Sequence, residues 1–320
     1  MGVSEVRSEA GRDTRPASAR HRQDAIAQRW SLRITFIPLV VLGFVAIALI
    51  VRAWPILQAY PLIELLFGTV WKPSSAQFGL WPFITGTLWV TSVGVLLAVP
   101  PSILTAIYIS EYAQTRTRLV IKPVLDVLAA IPPVVYGVWG LLAVVPFVES
   151  VLAPGLSTAF GFLPLFSINQ PTGFSVLAGG VVLAVMITPL IIAVIYEILH
   201  TVPNDLRQAS FAVGATRWET IWLVLLPHIM PGIIAAIVLG ASRAFGETIA
   251  VLMVVGNVPK VPTSLFDTAY PLPALIANNY GEMMSIPLYD AALLTVALVL
   301  LVVVFIFNLI AMMILRRFVR

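Results

Sequence analysis

Six apolar segments constrain this chain more than any other feature. They lie near Ile34–Val51, Pro82–Ile109, Pro123–Val148, Phe174–Leu199, Ile229–Val255 and Asp290–Leu315. Each approaches or exceeds the roughly 20 residues that a bilayer-spanning helix needs. A backbone in hydrocarbon must satisfy its own hydrogen bonds, so segments of this kind form helices and not isolated strands. Several contain proline or glycine, as in Pro100-Pro101, Pro132-Pro133, Pro189, Pro231 and Gly232, which spanning helices tolerate as kinks. Charged residues are 11% of the 320, against about 25% in a soluble domain, and 59% are hydrophobic. The expectation is an all-α membrane protein with six transmembrane helices: a tail over 1–33 and a transmembrane bundle over 34–320.

Charge placement orients the bundle. Residues 1–33 hold seven arginines. The second-to-third connection holds Arg116, Arg118 and Lys122, the fourth-to-fifth holds Arg207 and Arg217, and the end of the chain holds Arg316, Arg317 and Arg320. Fifteen of the 19 basic residues thus fall on one side, Arg52, Lys72 and Lys260 on the other, and Arg243 within a span. Basic residues mark the cytoplasmic side, so both termini are expected there, with the chain multi-pass in the cell (inner) membrane. The same asymmetry accounts for the net charge of +4 without a nucleic-acid partner. For residues 1–33, two readings stand. One is a disordered arm; the other ends in a short interfacial helix carrying Ile26, Trp30 and Arg33. On the opposite side, Glu149–Gly173 lacks Lys and Arg, and 256–289 is rich in proline. These loops read either as ordered caps that form a docking surface or as passive interfacial loops.

The longest polar break with a helical pattern is PNDLRQASFAVGATRWETIWLVLLP, residues 203–227. Pro203 and Asp205 suit a helix start. Leu206, Ala209 and Val213 share one face. Gly214 can take the left-handed conformation that ends a helix, and Thr216 with Glu219 forms a T-x-x-E capping box that starts the next. The unit predicted is helix, glycine turn, helix, joined directly to a membrane span.

Several chemistries are missing from the sequence. None of the three lysines follows a glycine-rich phosphate-binding loop, so the chain is not expected to hydrolyse ATP. His21, His200 and His228 are scattered, so no metal site is expected, and there is no cysteine. What remains is charge within a span. Arg243 and Glu247 are four residues apart, which predicts one helix face, with Ser242, Thr248 and Asn257 as nearby hydrogen-bonding groups. A charge at mid-bilayer costs roughly 2.5–3.5 kcal/mol, so that face should look into the bundle or a wet cavity. Two readings stay open: a path for an anion met by Arg243, and a permanent ion pair between helices. Asp126 and Glu197 read as interfacial.

The polar break resembles the cytoplasmic signature of ABC importer permeases, E-A-A-x3-G-x9-I-x-L-P. Here it runs Gln208-Ala209-Ser210, Gly214, Val224, Leu226 and Pro227, with Gln208 where the family usually has Glu and Ser210 where it has Ala. Further stretches are similar to PstC-type permeases of phosphate-specific ABC importers. They are residues 66–88, 131–147, 185–191 and 242–257, together with the Phe160–Thr172 loop carrying Pro164 and Pro171. The resemblance covers about 34–315. It implies a type I importer (MetI-like) permease fold. It implies coupling to a separate ATPase dimer through Gln208, Ala209, Ser210, Gly214, Trp218, Leu226 and Pro227. It also implies a substrate path at Arg243, Glu247, Ser242 and Thr248. Implied partners are a second, PstA-type permease, an external phosphate-binding protein and inorganic phosphate. ATP-Mg would be used by the ATPase, with no cofactor in this chain. Two alternatives are kept: a permease for another oxyanion, and an ion-coupled secondary transporter.

Overall fold

The computed structural model describes residues 17–169, 172–282 and 286–318. The chain divides into two units, residues 1–51 and 52–320.

In the first unit the backbone is helical from Ala17, inside the stretch read from sequence as a polar tail. Residues 1–16 lie outside the described residues. This helix is α1 (Ala17–Ala59); its span from Trp30 to Ala59 is apolar on all sides, with Ile37, Leu39, Val41, Phe44 and Ile47 all exposed. A helix apolar all round is a lipid-facing or buried helix and not a surface helix of a soluble protein.

The second unit begins in the last turns of α1. It continues through α2 (Leu62–Phe67), a hairpin of β1 (Trp71–Lys72) and β2 (Gln77–Phe78), and α3 (Trp81–Tyr112). Then come α4 (Thr115–Ala130), α5 (Pro133–Phe160), α6 (Val176–Thr201), α7 (Asn204–Ala212) and α8 (Arg217–Phe245). The short α9 (Ile249–Leu252), α10 (Leu272–Asn279) and the long α11 (Tyr289–Phe318) complete it. Among the described residues six helices are long and apolar enough to cross a membrane: α1, α3, α5, α6, α8 and α11.

Two of these depart from the expected spans. The third is Pro133–Phe160, where the sequence suggested 123–148. The cause is Ile131-Pro132-Pro133. Ile131 is extended (φ −60, ψ 129), as a residue before proline should be, and this cuts the apolar run into α4 and α5. The fifth is Arg217–Phe245, where the sequence suggested 229–255, because Gly246 ends the helix and the following turn separates Ile249–Leu252. Proline leaves a second imprint. Four helical stretches widen to the π form; Tyr108–Tyr112 ends α3 with no proline after it, whereas Gly140–Val144, Val148–Leu152 and Thr220–Leu225 are followed two residues later by Pro146, Pro154 and Pro227. A proline ring clashes with the carbonyl four residues back, and a wider turn moves that carbonyl away.

The core sits around α6, most of whose side chains are buried. It packs along α3 at backbone distance. A Cβ on Gly180 would lie 2.4 Å from Val93 Cγ1, and one on Gly94 would lie 2.9 Å from Leu183 Cβ. Close approach through small residues is how membrane helices gain contact when lipid already matches their polarity. A second cluster joins Ile56, Leu65, Phe78, Phe83, Tyr270, Leu272 and Tyr289 at the hairpin end. There Trp71 meets Phe78 and Phe83 edge-on at 5.6 and 5.2 Å.

Candidate functional site

The polar break folds as a tight elbow. Pro203 (φ −57, ψ 139) immediately precedes α7, with Asp205 in the first turn. The chain leaves α7 through Gly214 at φ +87, with Gly214 N–H donating to Phe211 O at 3.0 Å and Ala215 N–H to Ser210 O at 3.2 Å. A Cβ built on Gly214 would meet nothing within 4 Å, so the glycine is required by backbone conformation and not by space. Thr216 then caps α8 with both arms of the box. Glu219 N–H donates to Thr216 Oγ1 at 3.3 Å, and Thr216 N–H donates to Glu219 Oε2 at 2.7 Å. Across the bend the Ser210 and Thr220 hydroxyls bond at 2.9 Å, both buried. Ser210, which stands where the resembled motif has alanine, thus ties the two helices together.

A second lock lies behind the elbow. Arg207 on α7 donates from Nη2 to Glu111 Oε1 at 2.9 Å, from Nη2 to Leu199 O at 3.0 Å and from Nη1 to Val202 O at 2.9 Å. Both side chains of the pair are mostly buried. One guanidinium therefore fastens α7 to the ends of α3 and α6. In the sequence Arg207 contributed only to the charge count, since nothing local points 96 residues back to Glu111. The nearby Lys122–Glu197 pair, at 2.9 Å, is exposed on both sides and contributes little to stability.

Facing out from the elbow are Leu206, Phe211, Val213, Trp218, Trp222 and Leu223, with the Trp218 and Trp222 rings stacked at 6.0 Å. Val213, at the turn itself, is 85% exposed. Gln208 and Ala209 are exposed beside it, Leu226 is buried and Pro227 is exposed.

The other expected site lies at the far end of α8. Arg217 and Arg243 are 26 residues apart, about 39 Å along a helix axis. Arg243 and Glu247 do not share one helix face, a correction to the expected pattern. Gly246 stops α8, and Glu247 turns to cap α9, accepting from Ala250 N–H at 3.1 Å. A carboxylate that can bond backbone N–H groups competes with helix continuation, and here it prevails. The two side chains make no ion pair. Among the described residues Arg243, half-buried, has neither ion-pair nor hydrogen-bond partner. Its place in the last turn of α8 favours a cation electrostatically. Ser242 bonds Asn308 of α11 at 3.1 Å, a partner the local sequence does not indicate. The Thr248 hydroxyl donates to its neighbour Gly246 O at 3.4 Å. Asn257, at φ 53, gives its amide to Leu252 O at 2.8 Å.

The proline-rich loops beyond α8 are knitted together. Asp267, 2% exposed, accepts from Thr263 N–H (2.8 Å), Thr263 Oγ1 (2.9 Å), Ser264 N–H (3.0 Å) and Asn169 Nδ2 (2.9 Å). Leu265 N–H reaches Leu165 O at 2.9 Å, so the loop after α5 and the loop after α9 form one ordered layer. Burial pushes the Asp267 carboxyl up, and its four donors outweigh this and hold it below the usual aspartate range. Pro171 lies outside the described residues.

A multi-span bundle with a glycine-turned elbow on one side defines a membrane permease of the type I importer class. The family described as binding-protein-dependent transport system inner membrane component matches residues 98–320, and the chain belongs to it. It is 33% identical over 314 residues to the phosphate transport system permease protein PstC of Mesorhizobium japonicum, covering 96% of this chain and 95% of that one. It is 35% identical over 284 residues to PstC of Xylella fastidiosa, covering 86% and 87%. The fold is shared with the MetNI methionine ABC transporter in an inward-facing conformation, at TM-score 0.54 and 19% identity, over 75% of this chain and 98% of that one.

Proposed function

We propose that this chain is the permease subunit of an ATP-driven importer that moves inorganic phosphate across the cell membrane. The observation that carries the cargo is likeness, over nearly the whole chain, to permeases named for phosphate transport. Within this reading the chain has a cytoplasmic elbow and cytoplasmic termini, and it pairs with a second permease of PstA type. It receives phosphate from an external binding protein and takes force from a separate ATPase dimer, which uses ATP-Mg. The ordered loop layer around Asp267 is the surface for the binding protein.

The exposed row Leu206, Phe211, Val213 and Trp218 is the part that enters a groove of the ATPase, with Gln208 and Ala209 at its edge. Ser210, Gly214, Leu226 and Pro227 shape the elbow behind it. Arg243 meets the phosphate in transit. A half-buried cation with no ion-pair or hydrogen-bond partner among the described residues is held at a cost that a passing dianion relieves. Glu247, Ser242 and Thr248 border that position, and Glu247 limits how long the anion stays by repulsion.

The test is phosphate uptake by the assembled transporter carrying Arg243→Gln. Uptake should fall by at least tenfold while the four subunits still co-purify. Failure to assemble would make Arg243 structural, and unchanged uptake would remove it from the path. Competition by sulfate or molybdate as strong as that by unlabelled phosphate would reassign the cargo.

A further inference from the structure

Behind the elbow lies a half-open cavity of about 440 Å³ lined by the end of α3, the start of α4, the end of α6, α7 and the start of α8. Three guanidinium groups line it: Arg118, Arg207 and Arg217. Among the described residues Glu111 is the one carboxylate on its wall, and Arg207 already neutralises it. Two positive charges are therefore left over. Arg118 gives one Nη2 hydrogen bond to Ser110 O, and its Nε–H is buried without an acceptor. Arg217 has neither ion pair nor hydrogen bond among the described residues. His200 uses Nδ1 on Tyr196 O at 3.1 Å, which leaves Nε2 free, and the Asn204 amide nitrogen is also uncommitted. A buried N–H with no acceptor costs free energy, and a native structure rarely keeps one without a ligand or water to meet it.

We propose that this cavity binds a phosphate-type oxyanion. Arginine forks match the tetrahedral oxygens of such a group better than any other side chain does, and a dianion balances the two unpaired guanidinium charges. The site is separate from Arg243, which lies at the opposite end of α8. Its geometry carries a consequence. Arg118 belongs to α4 and Arg217 to α8, so an anion held by both ties the second arm of the elbow to α4 and braces the elbow against the bundle. That consequence rests on the elbow acting as a lever; binding itself does not. The same chemistry is offered by free phosphate and by the headgroup of an anionic phospholipid.

The experiment uses the full-length chain in nanodiscs of phosphatidylcholine, with equilibrium binding of radiolabelled inorganic phosphate. A parallel set contains phosphatidylglycerol, with retained lipids counted by native mass spectrometry. Arg217 is exposed and bonds to none of the described residues, so Arg217→Gln should fold normally; it should weaken binding about tenfold, the effect of one lost charged hydrogen bond. Arg118→Gln should weaken it at least as much. If Arg118→Gln does not insert, Arg217→Gln alone decides. Saturable phosphate binding lost in Arg217→Gln and kept in Arg243→Gln supports a site for the free anion. Phosphatidylglycerol retention that is lost in Arg217→Gln supports the site with a lipid headgroup as occupant. If neither phosphate nor lipid responds to Arg217→Gln, or if phosphate binding falls only in Arg243→Gln, the proposal is overturned.

Discussion

Gly214 offers the sharpest test of the elbow, because its environment separates conformation from packing. Its φ of +87 lies where L-residues are disfavoured, and a Cβ there touches nothing within 4 Å. The cost of substitution is therefore the backbone cost alone, about 1–2 kcal/mol for an ordinary L-residue. That corresponds to roughly a 5- to 30-fold loss in the population of the native turn. Asparagine enters the left-handed region far more readily than alanine, and β-branched valine less readily than either. The expected order of function is therefore Gly, Asn, Ala, Val. Asparagine is larger than alanine and nearly isosteric with leucine, so an effect of volume would place it beside valine.

The assay is ATPase stimulation and phosphate uptake in proteoliposomes holding the complete transporter, with insertion checked for each variant. Gly214→Asn should keep most of both activities. Gly214→Val should lower both together while subunit assembly is unchanged, because the turn presents Val213 and Phe211 and not the bundle. Equal activity for Asn and Val, or ATP hydrolysis that stays high while uptake falls, would refute the argument that the turn's conformation transmits force.

Two further outcomes follow from other parts of the chain. Ser210→Ala removes a buried hydroxyl bond to Thr220 and should cost about 1 kcal/mol, read as faster amide exchange in 204–225 with exchange in α6 unchanged. For Asp267, the carboxyl is held below its usual value of 3.8, so its contribution is present above the unfolded value and lost as pH falls through the folded one. Thermal unfolding of the wild type should therefore weaken below about pH 4, while Asp267→Asn, already without the charge, should show a flatter profile there. Loss of binding-protein docking in Asp267→Asn at neutral pH would tie the loop layer to that partner.

Local signals carried much of this structure. The capping box at Thr216 and Glu219 and the glycine stop at Gly214 are written within a few residues, and both appear as drawn from the sequence. Six apolar runs were legible because hydrocarbon leaves a backbone no alternative. Two span edges were not. Pro132-Pro133 lies inside an unbroken apolar run, and hydropathy does not say whether a proline kinks a helix or ends it. The pairing of Arg243 with Glu247 failed for a related reason: i to i+4 spacing presupposes a continuous helix, and Gly246 with a capping carboxylate breaks it. Arg207 with Glu111, Ser242 with Asn308, and Asn169 with Asp267 are contacts across 66 to 98 residues, which only the packed fold brings together.

One helix, α8, joins the two candidate sites. It begins at the elbow's cap and carries Arg243 in its last turn, so the elbow and that guanidinium are joined through a single helix. The connection is not a plain rod. The π turn at Thr220–Leu225, followed by Pro227 and Pro231, places a deformable joint within the first half of the helix, and beyond it the regular helix to Phe245 has no further proline. Bending is thus confined to the elbow's side, and the stretch next to Arg243 moves as one piece. If the joint lay near Arg243, elbow motion would be absorbed before it reached the charge. Its position near Thr216 lets a small change in elbow angle become a lateral shift at the far end, in proportion to the length of helix beyond the joint. Under the proposed function, coupling of ATPase closure to anion release requires such a shift, and Pro227 and Pro231 on the near side of α8 leave the far stretch free to make it.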